Sequence, residues 1–466
     1  MKIGIIGAGS VRFSLQLIGD IAQTEELADC EICMMDVNET RLNATYSLAK
    51  KYCEELGSNI QIEKTMNLEE AIKGASFIIN TAYPYPKEIE DGYKRWEIVT
   101  EIGEKHGYYR GIDSQEFNMV STYSYVICSY PDIKLALDIA EKIEKLAPNA
   151  WLMQTANPVF EITQIVKKLT KAKIVGFCHG SSGVNGIFNR LNLPSSKVDW
   201  QVAGINHGIW LNRFNYEGKN AYELLDKWIE EESYKWESRE PWDIQLSPAA
   251  IDMYRFYGMI PIGDTVRNGS WKYNYNLETK KKWYGKFGGI DNEIERPKFH
   301  NSLRESRKRM IELSKEIEKD PNIKLTEVWP EIFKKGVMSG EQHVPFINAL
   351  AHNKQVRLIL NVENKGIIKD IPDDIVVEVP VLVDKSGLHP QSLEPDLDER
   401  IKEYYLIPRI MRMKMALEAY IKRDVEILKE FLVRDPRTKS FKQVEEVLSD
   451  IMNHPINKEL KEYFNV

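Results

Sequence analysis

Short apolar runs alternate with amphipathic repeats over roughly the first 180 residues. Continuous apolar stretches of strand length occur at residues 2–8, 31–36, 75–81, 150–155 and 173–177. Apolar residues at helical spacing occur in Ser10–Thr24, Arg41–Leu56 and Ile133–Leu146. Asn67 is placed to cap a short helix that ends at Gly74. Strands that alternate with helices in this way predict an α/β fold with a doubly wound, mostly parallel sheet.

The pattern changes after about residue 200. Its features are aromatic-rich stretches at residues 236–242 and 271–275, a charged helix around Arg304–Lys319, a strand over Ile375–Val383 and a helix-rich end from about Asp396. No repeat or low-complexity linker separates the halves. We therefore predict two domains in contact, residues 1–200 and a C-terminal α+β domain over residues 201–466.

Composition excludes several classes of protein. The 466 residues are 43% hydrophobic and 29% charged, with a net charge of −7 and the two signs interspersed, so no basic face predicts nucleic-acid binding. No apolar stretch is long enough to span a membrane, and the N-terminus does not resemble a signal peptide. Five cysteines in so long a chain do not suggest a disulfide framework, and Cys30 and Cys33 lack the second pair of a zinc site. We expect a cytoplasmic protein.

A glycine-rich turn follows the first predicted strand. Gly7, Gly9, Ser10 and Val11 lie between this strand and the first helix. Glycines let the backbone approach a pyrophosphate, whose charge is then stabilised at the helix N-terminus. The third glycine of the usual dinucleotide motif is replaced by Arg12, which weakens the match but leaves the phosphate site. The turn favours a Rossmann-type domain over an ordinary strand–helix connection.

An acid at the end of the second strand supports the same interpretation. Asp36 stands where a carboxylate accepts hydrogen bonds from the adenosine ribose and disfavours the extra phosphate of NADP. A solvent-facing turn residue is the alternative. Asn80, Thr81 and Tyr83 end a later strand of the predicted sheet, so they are expected beside the cofactor. The predicted cofactor is NAD.

Three further segments concentrate polar chemistry. Asn157 follows one strand, Cys178 and His179 follow the next, and His207 comes shortly after. Alone, each has an ordinary explanation as a turn, a small buried thiol or a core histidine. At strand ends of a nucleotide-binding sheet, they together predict a site for a metal and proton transfer.

These segments resemble glycoside hydrolase family 4, the NAD- and divalent-metal-dependent glycosidases whose fold is similar to that of lactate and malate dehydrogenases. The matching elements are GIIGAGS, MMDVNETRL, INTAYP, QTANP, GFCHG, GINH, GDTVR and VVEVPVLVD. They extend in family order from residue 3 to about residue 390. The chain is therefore identified as a member of this family.

The resemblance implies roles for individual residues. Cys178 and His207 would hold the metal, typically Mn²⁺, and Asn157 would bind substrate hydroxyls near it. His179 would be the acid that assists the leaving group. A thiolate is an unusual ligand for Mn²⁺, which prefers oxygen, so other divalent ions are possible occupants.

The family's reaction also requires a base. The resemblance implies transient oxidation of the sugar at carbon 3 by NAD, metal-assisted loss of the carbon 2 proton, and elimination followed by water addition at carbon 1. Asp264 is our preferred base. Tyr254 and Tyr257 are alternatives, because some members of the family use a tyrosine.

The substrate is the least determined feature. The chain resembles the α-specific branch that acts on unphosphorylated sugars, and within it the uronic-acid hydrolases, so α-glucuronidase or α-galacturonidase is favoured and α-glucosidase follows. Arg267 is the first candidate to bind a uronate carboxylate, before Arg110 and Arg12. Gln115 and Glu116 resemble a family segment that reaches the substrate.

Two other functions share parts of this pattern. A dehydrogenase of 2-hydroxy acids or polyols has the same fold but releases NADH, and it needs no thiolate metal site. A non-catalytic NAD-binding regulator would not need the polar site residues. The resemblance also implies a homodimer or homotetramer whose C-terminal domain serves substrate and metal binding and oligomerisation. A small carbohydrate is the expected partner, with neither nucleic acid nor membrane.

Overall fold

The computed structural model describes residues 1–109 and 129–466. The strands of these residues are β1 Lys2–Ile6, β2 Glu31–Met35, β3 Gln61–Thr65, β4 Phe77–Asn80, β5 Trp151–Gln154, β6 Lys173–Phe177, β7 Val198–Ile205, β8 Gly208–Tyr216, β9 Lys219–Asn220, β10 Pro261–Ile262, β11 Val356–Glu363, β12 Val376–Asp384 and β13 Gly387–Pro390. The five predicted strands of the first half are confirmed, with ends that differ by one or two residues. The predicted strand Ile375–Val383 is observed as β12.

The helices surround these strands. They are α1 Arg12–Ala22, α2 Glu39–Leu56, α3 Leu68–Ile72, α4 Gly92–Lys105, α5 Tyr130–Leu146, α6 Val159–Leu169, α7 Val184–Arg190, α8 Tyr222–Glu231, α9 Pro248–Tyr257, α10 Leu277–Tyr284, α11 Glu295–Lys319, α12 Leu325–Val328, α13 His343–His352, α14 Glu399–Ile401, α15 Ile407–Lys422, α16 Val425–Val433, α17 Phe441–Asn453 and α18 Lys458–Phe464. Asn67 caps α3 as predicted, because its side chain accepts the Glu69 N–H at 2.9 Å.

The first half of the sheet has the order β3-β2-β1-β4-β5-β6, and all of these neighbours are parallel. Ile5 of β1, for example, lies opposite Met34 and Ile79. This order is typical of a dinucleotide-binding Rossmann domain. The predicted fold class is therefore confirmed.

The same sheet continues into the second half of the chain. β11 pairs antiparallel with β6, and β12, β7, β8 and β10 follow in that order. The predicted domain boundary at residue 200 lies within β7. Because the sheet crosses this boundary, the division into residues 1–200 and 201–466 stays a proposal about folding units.

The carboxyl ends of the central parallel strands meet at one edge of the sheet. Their cores are fully apolar: Ile5, Ile78, Leu152 and Val175 have no exposed surface. Helices cover both faces of such buried strands. Because the strands are parallel, the residue that follows each of them lies at the same edge of the sheet. The glycine turn, Thr81, residues 155–157 and residues 178–179 all follow strands that end there.

Three other cysteines of the described residues belong to the core. Cys30, Cys33 and Cys53 are buried, and burial raises the pKa of the Cys30 thiol to about 11. Reactive thiols have lowered pKa values, so Cys30 and Cys33 have the character of packing residues. In the described part of the chain, no helix combines the length and apolar character needed to cross a bilayer.

Gly176 tests how tightly the two halves of the sheet are joined. An added Cβ would lie 2.6 Å from Val159 Cγ1 and 2.8 Å from Asn361 Cβ. Both neighbours are buried, so we expect Gly176→Ala to lower the free energy of unfolding by about 1–3 kcal/mol in urea denaturation. Gly186→Ala is the control, because its Cβ would meet only the Gln245 side chain, at 3.5 Å. Equal stability of the two variants would mean that the junction is loosely packed.

Candidate active site

The glycine turn folds back onto the sheet. The Gly7 and Ala8 N–H groups both donate to the Met35 carbonyl at 2.9 Å. Gly7 has a φ of 86°, and a Cβ there would lie 2.6 Å from the Ala82 Cα. Only glycine tolerates both the positive φ and the close approach to Ala82, so it allows the turn to pack between the ends of β1 and β4.

Asp36 lies directly against this turn. Its carboxylate accepts the Gly9 N–H at 2.9 Å and the Asn38 N–H at 2.8 Å. A Cβ on Gly9 would lie 2.7 Å from the Asp36 carboxylate. Helix α1 begins at Arg12, just after Ser10 and Val11. An acid held beside a glycine turn and a helix N-terminus fits the ribose and pyrophosphate of a dinucleotide.

Asn80 and Thr81 stabilise the turn from the neighbouring strand. The buried Asn80 amide donates to Gln154 Oε1 at 2.9 Å, and the Thr81 hydroxyl donates to the Ile6 carbonyl at 3.0 Å. The Asn80 side chain is thus engaged within the sheet. Contact of these residues with a cofactor stays a prediction.

A cavity of about 310 Å³ opens beside Thr81. Asn157 lies on its wall and is exposed. The wall also contains two buried arginines: Arg95 donates to Asp132 at 2.8 Å, and Arg296 forms an ion pair with Asp291. Burial raises the pKa of Asp132 to about 6, although Arg95 acts in the opposite direction. Sequence reasoning missed both arginines, because their proximity to Asn157 is a tertiary contact.

Cys178 follows β6 directly. Its sulfur accepts the Gly180 N–H at 3.4 Å, and its carbonyl accepts the Gln342 amide at 3.1 Å. Burial and the nearby carboxylates Glu378 and Asp264 raise the pKa of this thiol well above its usual value. A thiol with so high a pKa ionises only when positive charge lies beside it. Cys178 is therefore suited to bind a cation as its thiolate.

His207 occupies the second position of a two-residue turn between β7 and β8. Its φ is 58°, and its carbonyl accepts bonds from the Asn268 amide at 3.0 Å and the Tyr405 hydroxyl at 3.4 Å. These bonds hold the backbone, so the imidazole is directed at Asp264, whose Oδ2 lies 3.3 Å from Nε2. The turn, which ends the GINH motif, therefore orients the candidate metal ligand His207.

Asp264 follows β10 and lies between His207 and Arg267. Arg267 Nε donates to its carboxylate at 2.7 Å. Burial acts to raise the pKa of Asp264, but Arg267 and His207 outweigh it and hold that pKa well below its usual range. The carboxylate is therefore ionised.

Arg267 is held by two carboxylates of the protein, and its predicted contact with the substrate stays a prediction. Its guanidinium is buried and donates to Asp291 at 3.0 and 2.8 Å as well as to Asp264. Two carboxylates thus neutralise the charge that a uronate would need. The contacts are those of a residue that positions Asp264, and they argue against Arg267 as the substrate cation. Arg12 is exposed at the start of α1, and Arg110, Gln115 and Glu116 lie outside the described residues.

The proton-transfer candidates differ in placement. The His179 side chain is 77% exposed, and its Nδ1 lies 3.7 Å from Glu341 Oε1. Tyr257 packs on Trp210 with ring centroids 4.7 Å apart, and burial raises its pKa to about 12. The Tyr254 hydroxyl donates to Asp226 at 2.8 Å. These contacts favour Asp264 over either tyrosine as the base.

The protein groups do not form a complete metal site by themselves. Within residues 1–109 and 129–466, no group of three His, Cys, Asp or Glu side chains is arranged to hold a metal ion. Cys178 and His207 are the two candidate ligands, and Asp264 lies 3.3 Å from His207. Catalytic metal sites keep positions open for water or substrate, so this partial set is suited to catalysis.

Comparisons with known proteins identify the family of the chain. The family model described as family 4 glycosyl hydrolase matches residues 2–193, and that of its C-terminal domain matches residues 202–438. The chain belongs to glycosyl hydrolase family 4. Among family 4 relatives, an alpha-galactosidase of Bacillus subtilis is 24% identical over 96% of both chains. An alpha-galacturonidase of Thermoanaerobacter italicus is 23% identical over 94% of this chain and 92% of its own.

Solved structures share the fold. The 6-phospho-alpha-glucosidase from gut microorganisms, in complex with NAD and Mn²⁺, superposes with a TM-score of 0.73 at 15% identity, over 99% of this chain and 98% of its own. The family assignment predicted from the sequence motifs is thus confirmed.

His343 is a buried neighbour of this edge of the family 4 sheet. Its Nε2 lies 2.7 Å from the Thr155 hydroxyl, and its ring stacks on Phe177 with centroids 4.4 Å apart. Burial lowers its pKa from 6.5 to about 3. The imidazole is therefore neutral in the folded protein.

This shift makes stability depend on pH. Between about pH 3 and 6.5, the unfolded chain binds a proton at His343 that the folded chain does not, so stability falls as pH is lowered, by up to about 1.4 kcal/mol per pH unit. We expect His343→Gln to flatten the free energy of unfolding against pH in this window, measured by urea denaturation. The exposed His352, at the end of the same helix, provides the control variant His352→Gln. Identical curves for wild type and His343→Gln would contradict the shift.

Proposed function

We propose that this family 4 chain is an NAD- and divalent-cation-dependent glycosidase whose substrates are α-linked uronosides. The observation that carries the proposal is the convergence of Cys178, His207 and Asp264 at the sheet edge that also holds the glycine turn and Asp36. Glycosidases ordinarily use two carboxylates that flank the bond. A sulfur, an imidazole and a dinucleotide turn instead suit transient oxidation.

The residues fit both cofactors. Asp36 would accept the ribose hydroxyls, Gly7 and Gly9 allow the close turn beside it that would face the pyrophosphate, and Cys178 and His207 would hold the cation. NAD would supply reversible hydride transfer at sugar carbon 3, and the cation, Mn²⁺ in a structure of the same fold, would supply Lewis-acid stabilisation of charge on the sugar oxygens.

The chain's own side chains would handle substrate and protons. Asn157, exposed on the cavity wall, would hold substrate hydroxyls. Asp264 would take the proton from carbon 2, because it is ionised beside His207 and held by Arg267. The exposed His179 would donate a proton to the leaving group, with Glu341 beside it. Tyr257 is the alternative base.

A uronoside is favoured by two observations. An alpha-galacturonidase is similar over nearly the whole chain, and the cavity beside Asn157 contains Arg95 and Arg296. A neutral α-galactoside or α-glucoside is the second candidate, because both arginines already face carboxylates. The similarity to an alpha-galactosidase also supports a neutral sugar as the substrate.

We also propose a cytoplasmic homodimer or homotetramer that acts on small carbohydrates. Tyr404, Ile407 and Met411 form an exposed apolar stripe along one helical face, and Phe256 lies beside Tyr404. Apolar surface of this kind supports self-association.

A panel of p-nitrophenyl α- and β-glycosides, uronides included, tests the substrate in the presence of NAD⁺, Mn²⁺ and a thiol reductant. We expect p-nitrophenol release from an α-uronide without accumulation of NADH, because the hydride returns to the sugar. Release from neutral α-glycosides alone would establish the second candidate. Stoichiometric NADH formation would instead indicate a dehydrogenase.

Two variants separate the cofactor sites. Cys178→Ser removes the sulfur, so we expect Mn²⁺ affinity to fall by more than about tenfold while NAD affinity is unchanged. Gly9→Ala forces a Cβ against Asp36, so NAD affinity should fall by about tenfold or more while Mn²⁺ affinity is kept. Electron paramagnetic resonance measures free Mn²⁺, and calorimetry measures NAD binding. Cys53→Ser, in a buried thiol of helix α2, is the control. Cys178→Ser with wild-type Mn²⁺ affinity would refute the metal site.

A further inference from the structure

Glu378 is a buried acid in an otherwise apolar strand. It lies in β12 between Val377 and Val379, and none of the three has exposed surface. Its Cα faces Gly204 of β7 on one side and Asn361 of β11 on the other. Among the described residues, no basic side chain forms an ion pair with it. Burial raises the pKa of this carboxyl group to about 7, and a buried acid without a cation is costly, so its presence needs a reason.

The contacts of Glu378 lead toward the candidate metal ligands. Its Oε2 accepts the Asn206 amide at 2.9 Å and the Asn361 amide at 3.4 Å, whereas Oε1 accepts no bond from the described residues. Asn206 precedes His207 in the two-residue turn. Asn361 also donates to the Gly176 carbonyl at 3.4 Å, two residues before Cys178.

Asn206 connects this carboxylate to the sulfur. Its buried side chain lies in polar contact with the Cys178 thiol as well as with Glu378. Because Glu378 accepts an amide hydrogen of Asn206, it fixes the orientation of the carboxamide beside the sulfur.

We propose that Glu378 is a positioning residue that orients Asn206 against Cys178 and thereby orders Cys178 and His207 to bind a divalent cation. This inference rests on the proposed metal site. It adds to that site a residue that touches neither substrate nor cation.

Glu378→Gln tests the inference, because the side chain keeps its shape and loses its charge. We expect Mn²⁺ affinity, from electron paramagnetic resonance titration of the purified full chain, to fall by about 10–100-fold. With Co²⁺ as the probe, the sulfur-to-metal absorption band should weaken or shift. NAD affinity should be unchanged, and the unfolding temperature should stay the same or rise, because a buried charge is removed. A purely structural role would instead lower stability and leave the Co²⁺ band unchanged.

Glu161→Gln is the matched control. Glu161 is a buried acid of α6 that faces Arg409 at 2.5 Å, so its replacement should lower the unfolding temperature and leave Mn²⁺ affinity within about twofold. Asn206→Ser should reproduce the loss of Mn²⁺ affinity, and it decides the question if Glu378→Gln does not fold. The double variant should lose no more than either single one.

The outcomes separate the two proposals. Wild-type Mn²⁺ affinity and an unchanged Co²⁺ band in Glu378→Gln, or in Asn206→Ser where only that variant folds, would overturn the role of Glu378 and leave the proposed function intact. Absence of Mn²⁺ binding in wild type, or full binding in Cys178→Ser, would overturn the metal site itself and this inference with it.

Discussion

The site depends on the hydrogen-bonded pairing that joins the parallel and antiparallel parts of one sheet. Cys178 follows the end of β6, and the turn that contains His207 follows the end of β7. These strands are not neighbours: β11 and β12 lie between them, and the single paired position of β12 with β7 is Glu378 with Gly204. A thiol and an imidazole from separate segments are therefore brought to one edge by backbone pairing alone.

Some ionisable residues at this edge are paired with opposite charges, and others are not. Asp264, Arg267, Asp291 and Arg296 form an alternating chain of charges from His207 to the cavity wall, and all of them except the partly exposed Asp264 are buried. Each member has an opposite neighbour, so the chain holds its geometry without an added ligand. Cys178 and Glu378 have no such compensation. The ion-paired residues thus neutralise one another, whereas positive charge is lacking at the Cys178 sulfur. A cation is therefore suited to that position.

The sequence predicted the strands whose apolar runs are continuous, and it missed those whose pattern is mixed. β3 has the sequence QIEKT and is largely exposed, so no apolar run marks it. The β7–β8 hairpin was missed because polar residues interrupt its apolar positions, although its turn contains the recognised GINH motif. Within the site, Cys178, His207 and Asp264 come together as the motifs implied. The contact of Arg267 with Asp291, 24 residues away in sequence, is tertiary, so the sequence did not indicate it, and the role of Arg267 toward the substrate stays a prediction.

The sequence by itself determined the family, the apolar strands of the parallel sheet and the glycine turn, with Asp36 at the end of the second strand. These features are local, since a glycine, a strand end and a helix start within a few residues fix them. The tertiary structure alone decided which ionisable groups are compensated: Arg267 is engaged, Asp264 is ionised, and Glu378 is buried beside Asn206. Burial and charge pairing depend on residues distant in the chain, so no local pattern contains them.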